Sequence, residues 1–189
     1  MKKLLLTLCA IFSVVMTQAQ EHMVFKGVSM GCSLTTFVSQ LQAKGYTAVS
    51  INDETALLLG NFAGTDGCKI GVVCTANSKQ VCQVMVIFPT KNSWHSLKKE
   101  YLFLKESYTA KYGVPDSCEY FSAPYADGDG FEMAAISAGR CNYYSLFETA
   151  QGRIMLGIDD DGSIGVVYED KINSDLMLRE KQSVVSSDI

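Results

Sequence analysis

The sequence predicts an α+β protein made of two tandem units, each a helix followed by a four-stranded antiparallel set. Three observations point there. Apolar residues recur at steps of three and four over Leu34 to Leu41 and again over Trp94 to Tyr108, the spacing of a helix stripe. Four short strand-like runs follow each stripe. Those runs are separated by brief turns ending in glycine or asparagine, the chemistry of tight hairpins.

At the start of the chain, Lys2 and Lys3 precede an apolar run, Leu4 to Met16, and then Thr17-Gln18-Ala19, which has the small-residue spacing of a signal-peptidase site. The run is shorter than the roughly 20 apolar residues that span a bilayer. Residues 1–19 are therefore expected to be a removed export signal, leaving no transmembrane segment and giving a secreted or periplasmic address. Cys9 lies inside the run behind Leu8, where lipid attachment would need a small residue. The remaining 170 of 189 residues suffice for one large domain or two small ones sharing a core. Without Lys2 and Lys3 there are 14 basic and 20 acidic residues, a net charge of −6. An acidic chain without a basic cluster argues against nucleic acid as a partner. A hydrophobic content of 48% excludes a disordered chain.

The first unit spans residues 20–88. After an apolar lead-in, Met23 to Met30, Ser33 caps a helix whose stripe is Leu34, Phe37, Val38 and Leu41, stopped by Gly45. Strands are expected at Tyr46 to Asn52, Thr55 to Ala63, Cys68 to Thr75 and Gln80 to Phe88. The second unit, residues 89–170, opens on a polar link and a longer helix capped by Ser93, with stripe Trp94, Leu97, Tyr101, Leu104 and Tyr108, ended by Gly113 and Pro115. Its strands are expected at Ser117 to Ser122, Cys141 to Thr149, Arg153 to Asp159 and Ser163 to Glu169.

Three turns, Thr65-Asp66-Gly67, Ala150-Gln151-Gly152 and Asp160-Asp161-Gly162, look like three-residue loops with a left-handed last residue, and Asn77 takes that place in Thr75-Ala76-Asn77. Such loops pair residues of like parity. Cys68, Ile70, Val72 and Cys74 then share a face with Cys82, Val84, Val86 and Phe88, and Ile154, Leu156 and Ile158 share one with Ile164, Val166 and Tyr168. The even-numbered face should meet the helices. Gly45 to Gly113 is an offset of 68 and Gly67 to Gly152 one of 85, so the second unit carries about 17 extra residues, which Ala123 to Gly139 supplies. Phe131 to Ala138 suits a short helix capped by Asp129. In the tail, 171–189, a helical turn is expected from Ser174 and mobility from Ser183 on.

Phe25-Lys26-Gly27-Val28, the series Leu34, Phe37, Leu41, Gly45, Tyr46, and Lys111-Tyr112-Gly113-Val114-Pro115 together resemble uncharacterised secreted bacterial proteins. Those are similar in plan to the β-lactamase-inhibitor-protein fold. The resemblance implies one continuous curved sheet with helices on one face, and an exported location. It implies no particular partner, because the inhibitor's contact residues have no match here.

Chemical motifs are sparse. Gly27-Val28-Ser29-Met30-Gly31 fits G-x-S-x-G, but two or three helices that do not alternate with strands are a poor nucleophile-elbow context. The acidic turns Asp127-Gly128-Asp129-Gly130 and Asp159-Asp160-Asp161-Gly162 lack the other ligands of a calcium loop. His22 and His95, the two imidazoles, stand in no zinc spacing, so no metal or cofactor is expected. Six cysteines outside the signal suggest disulfides in an exported chain. Cys118 and Cys141 bracket the insertion and are the first candidate pair. Cys68, Cys74 and Cys82 share the core face, either as a pair among them or as buried free thiols. The odd-numbered strand face carries Val73, Met85, Ile87, Tyr143, Phe147, Met155 and Val167, too apolar for a purely solvated face. Either a loop, the insertion or the tail covers those residues, or they form a contact surface. The functional expectation is a non-enzymatic binding protein for an unknown protein or small ligand. The alternatives are a small hydrolase or thiol enzyme using Ser29 or a cysteine, and a structural envelope component.

Overall fold

The computed structural model describes residues 21–188, so the expected export signal lies outside the described residues. A two-stranded hairpin, β1 (Val24–Phe25) and β2 (Val28–Ser29), leads into helix α1 (Leu34–Gln42). Four strands follow: β3 (Thr47–Ile51), β4 (Thr55–Phe62), β5 (Thr65–Cys74) and β6 (Val81–Ile87). Helix α2 (Trp94–Tyr112) precedes β7 (Asp116–Phe121), the short helix α3 (Glu132–Ser137) within the insertion, β8 (Cys141–Thr149), β9 (Gly152–Ile158) and β10 (Ile164–Asp170). Helix α4 (Lys171–Asp188) ends the described chain. The eight strands from β3 to β10 form one antiparallel sheet in the order β3-β4-β5-β6-β10-β9-β8-β7.

The helices form where the stripes predict them. Ser33 and Ser93 each accept a hydrogen bond from the backbone N–H three residues on, satisfying a donor that the first helical turn leaves free. Helix α1 buries Leu34, Phe37, Val38 and Leu41, and α2 buries Leu97, Tyr101, Leu104 and Tyr108. Helix α1 packs on β3, β4 and β5, while α2 packs on β8 and β9. The β1–β2 hairpin fills the space between: the Phe25 ring stacks on Phe62 at 5.6 Å and meets the edge of Tyr168 at 5.2 Å. Ile70, Val84, Leu156 and Val166 are all fully buried on this side, so the even-numbered face of the central strands meets the helices as expected.

Several turns differ from the expected ones. Between β4 and β5 the loop is Ala63-Gly64, both with positive φ, and Phe62 pairs with Thr65. A bulge beside Gly60 then restores like parity, which is why the face assignment survives a misplaced turn. Between β5 and β6 the left-handed residue is Lys79 rather than Asn77, and a register shift pairs Cys74 with Val81. Val81 therefore joins the core cluster in the place expected for Cys82. Only the β9–β10 turn keeps the expected form, with Asp159 N–H bonded to Ser163 O and Gly162 left-handed.

The insertion docks beside α2. Trp94 Nε1 donates to Asp127 at 2.7 Å, Lys98 pairs with the same carboxylate, and Ala135 and Ile136 are buried. Asp129 accepts from Phe131 N–H at 2.7 Å, although its expected place as the cap of α3 is taken by Phe131. Helix α4 begins at Lys171, three residues ahead of the helical turn expected from Ser174, and runs on through Ser183 to Asp188. Fully buried Asp170 caps it, accepting from Asn173 N–H at 2.9 Å. Further along, Glu180 accepts from the N–H groups of Asn77 and Ser78 at 2.8 and 3.0 Å, which holds its carboxyl below the usual range.

Candidate binding surface

The face of the sheet away from α1 and α2 is built row by row from the strand registers. One row runs Leu57, Gly71, Met85, Val167, Met155, Leu146, each directly opposite the next, across six adjacent strands from β4 to β8. The next runs Leu59, Lys69, Ile87, Gly165, Gly157, Tyr144, Cys118. A third, on the other flank, runs Thr55, Val73, Gln83, Glu169, Arg153, Glu148, and its Arg153–Glu169 ion pair at 2.8 Å makes it a polar border. From β4 to β8 the middle row contains no charged residue, and on the edge strand β7 it ends at Asp116, opposite Leu146. A sheet face turned to water usually alternates toward polar side chains, so an uncharged row of this length is unusual.

Of the seven residues the sequence assigns to this face, five lie on it. Met85 is 36% and Met155 46% exposed, while Val73, Ile87 and Val167 are half-buried. Helix α4 runs along the polar border, where Lys171, Ser174 and Leu178 face Glu148, Arg153 and Glu169, and leaves both methionines exposed. Tyr143 and Phe147 are corrections. Both are buried on the helix side: Tyr143 meets Trp94 at 5.0 Å and Tyr101 at 5.9 Å, and Phe147 meets Tyr108 at 5.8 Å. The cause is the β8–β9 loop. Thr149 pairs with Gly152, so the loop is the two residues Ala150-Gln151 and odd positions of β8 face even positions of β9. The open-face residues of β8 are Tyr144 and Leu146, which the assumed three-residue loop hid. Thr149, whose hydroxyl accepts from Gly152 N–H at 3.1 Å and closes the shorter turn, was the available signal.

The expected disulfides do not form. All six cysteines outside the expected signal are free. Cys118 stands opposite Tyr144, and Cys141 opposite Phe121. The two thiols thus point to opposite faces at positions three residues apart, beyond the reach of a disulfide. Cys68 and Cys74 lie near opposite ends of β5, while Cys82 sits in the bulge with its thiol donating to Val73 O at 3.4 Å. Burial raises the pKa of the Cys68 and Cys74 thiols and pushes Cys82 and Cys141 up to about 11. These thiols stay protonated and are poor nucleophiles near neutral pH.

Ser29 is exposed on β2, where its hydroxyl accepts from Gly31 N–H at 3.1 Å. His22 Nδ1 is bonded to Asp170 at 3.1 Å, as the base and acid of a triad would be, but no hydrogen bond joins His22 or His95 to Ser29 among the described residues. Asp170 serves another purpose: it also accepts from Met23 N–H at 2.7 Å and so ties the hairpin to the start of α4. The acidic turns are internally engaged, Asp161 with Ser163 N–H at 2.9 Å and Asp129 with Ala126 N–H at 2.8 Å. No cluster of three metal-ligating side chains occurs among the described residues. Comparison with protein-family models, curated proteins and solved structures found no match to this chain.

Proposed function

We propose that this protein is an exported, non-enzymatic binding protein that engages a protein partner through the open face of its sheet. The observation that carries the reading is the uncharged row from Leu57 to Leu146, with Met85 and Met155 exposed near its centre. Unbranched methionines adapt to an incoming surface, and a contiguous apolar strip bordered by charge has the anatomy of an interface core with a polar rim. Asp159 places its carboxyl over Gly165 at the edge of the strip, where burial raises its pKa. In this reading the chain is a tandem helix-plus-four-strand duplication on the plan of the β-lactamase-inhibitor-protein fold. The strand order supports it, since β6 and β10, each the last strand after its helix, adjoin at the centre of the sheet.

The test is capture from extracts of the producing cells and their medium with wild type and a Met85→Lys, Met155→Lys double variant. Two charges in the apolar strip should abolish recovery of the partner while thermal stability is kept. Equal recovery by the two proteins would remove the open face from the account.

A further inference from the structure

On the helix side, a cavity of about 490 Å³ lies between the β1–β2 hairpin, the β4–β5 turn and the last turns of α2. That volume falls within the roughly 300–1,000 Å³ of small-molecule sites. Its walls are aromatic, formed by Phe25, Phe62, Phe103, Tyr108, Tyr112 and Tyr168, and the Phe103 ring is 61% exposed at its edge.

Two further features say what such a cavity would hold. Lys26 and Lys111 both line it, with their ammonium groups 5.8 Å from the Phe62 centroid and 4.8 Å from the Tyr112 centroid. Neither has a carboxylate within ion-pair distance among the described residues, although the chain as a whole carries a net charge of −4. A third ammonium, that of Lys44, lies close beside Gly27. Lys26 occupies a turn position with φ 51°, a conformation that favours glycine or asparagine, and that turn sets its side chain over the cavity wall. The second feature is the hydrogen bond between the buried hydroxyls of Tyr108 and Tyr168. Each phenol has one proton to donate. Once one O–H donates to the other oxygen, the remaining O–H has no protein acceptor among the described residues and can donate to an occupant of the cavity.

We infer that this cavity binds a small apolar carboxylate, with its body against the rings, its charge among the lysines and an oxygen accepting from the tyrosine pair. The lysines select the sign of the ligand, and the phenols select an oxygen over a purely hydrocarbon guest. This site is independent of the open sheet face, which lies on the other side of the sheet.

The test is calorimetric titration of the purified protein with dodecanoate and naphthalene-2-carboxylate, using dodecyltrimethylammonium and dodecanol as charge controls. At least one carboxylate should bind saturably at one per chain, about tenfold or more tighter than either control. A Lys26→Gln, Lys111→Gln double variant should lose about tenfold in affinity with an unchanged melting temperature. Tyr168→Phe should lose several-fold, while Lys99→Gln, an exposed lysine of α2 that does not line the cavity, should bind as wild type. Failure of both carboxylates to bind, equal binding of the cationic amphiphile, or full affinity in the double-lysine variant would each overturn the assignment.

Discussion

Asp170 is the residue whose removal should be felt most widely. Its carboxylate is fully buried and accepts from Met23 N–H at 2.7 Å, Asn173 N–H at 2.9 Å and His22 Nδ1 at 3.1 Å. Asn173, fixed by that bond, donates its side-chain amide to Met30 O at 2.9 Å and Val81 O at 2.8 Å. One side chain therefore joins the N-terminal hairpin, the central strands and α4. In Asp170→Ala two buried N–H groups lose their acceptor, at about 1–3 kcal/mol each, whereas the half-exposed His22 can rehydrate. Two such losses, less partial relaxation, should come to about 2–5 kcal/mol, a large share of the 5–15 kcal/mol typical of a domain. Urea unfolding would measure it, with the exposed Asp175→Ala as a control expected within about 0.5 kcal/mol of wild type. Limited proteolysis should also open the segment around residues 21–31 first in Asp170→Ala. A loss below about 1 kcal/mol, with no new cleavage there, would mean the three bonds are not holding the hairpin and the reasoning is wrong.

Four other outcomes follow from the same geometry. Phe147→Ala should cost about 3–5 kcal/mol and Tyr144→Ala under about 1, because β8 turns odd positions to the core, and equal effects in thermal unfolding would contradict that register. Gly152→Ala should be severely destabilising, since a Cβ there would stand 1.9 Å from Glu169 O, and a near-normal melting temperature would disprove that close approach. The Cys82 thiol, buried and raised to about 11, keeps its proton when the unfolded chain has lost its own, so its contribution is complete below about pH 9 and falls away toward pH 11. That loss should approach about 2–3 kcal/mol and shrink in Cys82→Ala, and parallel pH profiles for the two proteins would refute it. A fluorophosphonate probe should leave Ser29 unlabelled, because among the described residues no base is hydrogen-bonded to its hydroxyl, and stoichiometric labelling would revive the hydrolase reading.

The helices and strands were legible because their signals are local: Ser33 and Ser93 before apolar stripes, Gly113 behind one, and runs of alternating apolar residues. Register was legible only where the loop has the three residues that its glycine suggests. At Asp159 to Ser163 it was, and Ile154, Leu156, Val166 and Tyr168 went to the core as expected. At Thr149 to Gly152 a difference of one residue in loop length turned Tyr143 and Phe147 from surface to core. The β4–β5 hairpin survived a similar error because its bulge cancelled it. Helix α4 left little trace in the sequence beyond the turn expected from Ser174, since it has no continuous apolar stripe and is held by polar contacts from Asp170, Asn173 and Glu180 to distant backbone. The cavity was invisible for the same reason: Phe25, Phe62, Tyr108 and Tyr168 are distant in sequence and meet only when the sheet is assembled.

The open face is tested most directly by site-specific photo-cross-linking. A photoreactive residue at position 155 would probe the apolar strip, and one at position 99, exposed on α2, would probe the opposite side. In the cells that make the protein, position 155 should yield a discrete adduct that disappears when Met85 is changed to lysine, while position 99 yields none. Adducts from position 99 alone, or from position 155 unaffected by the charge at 85, would contradict the account.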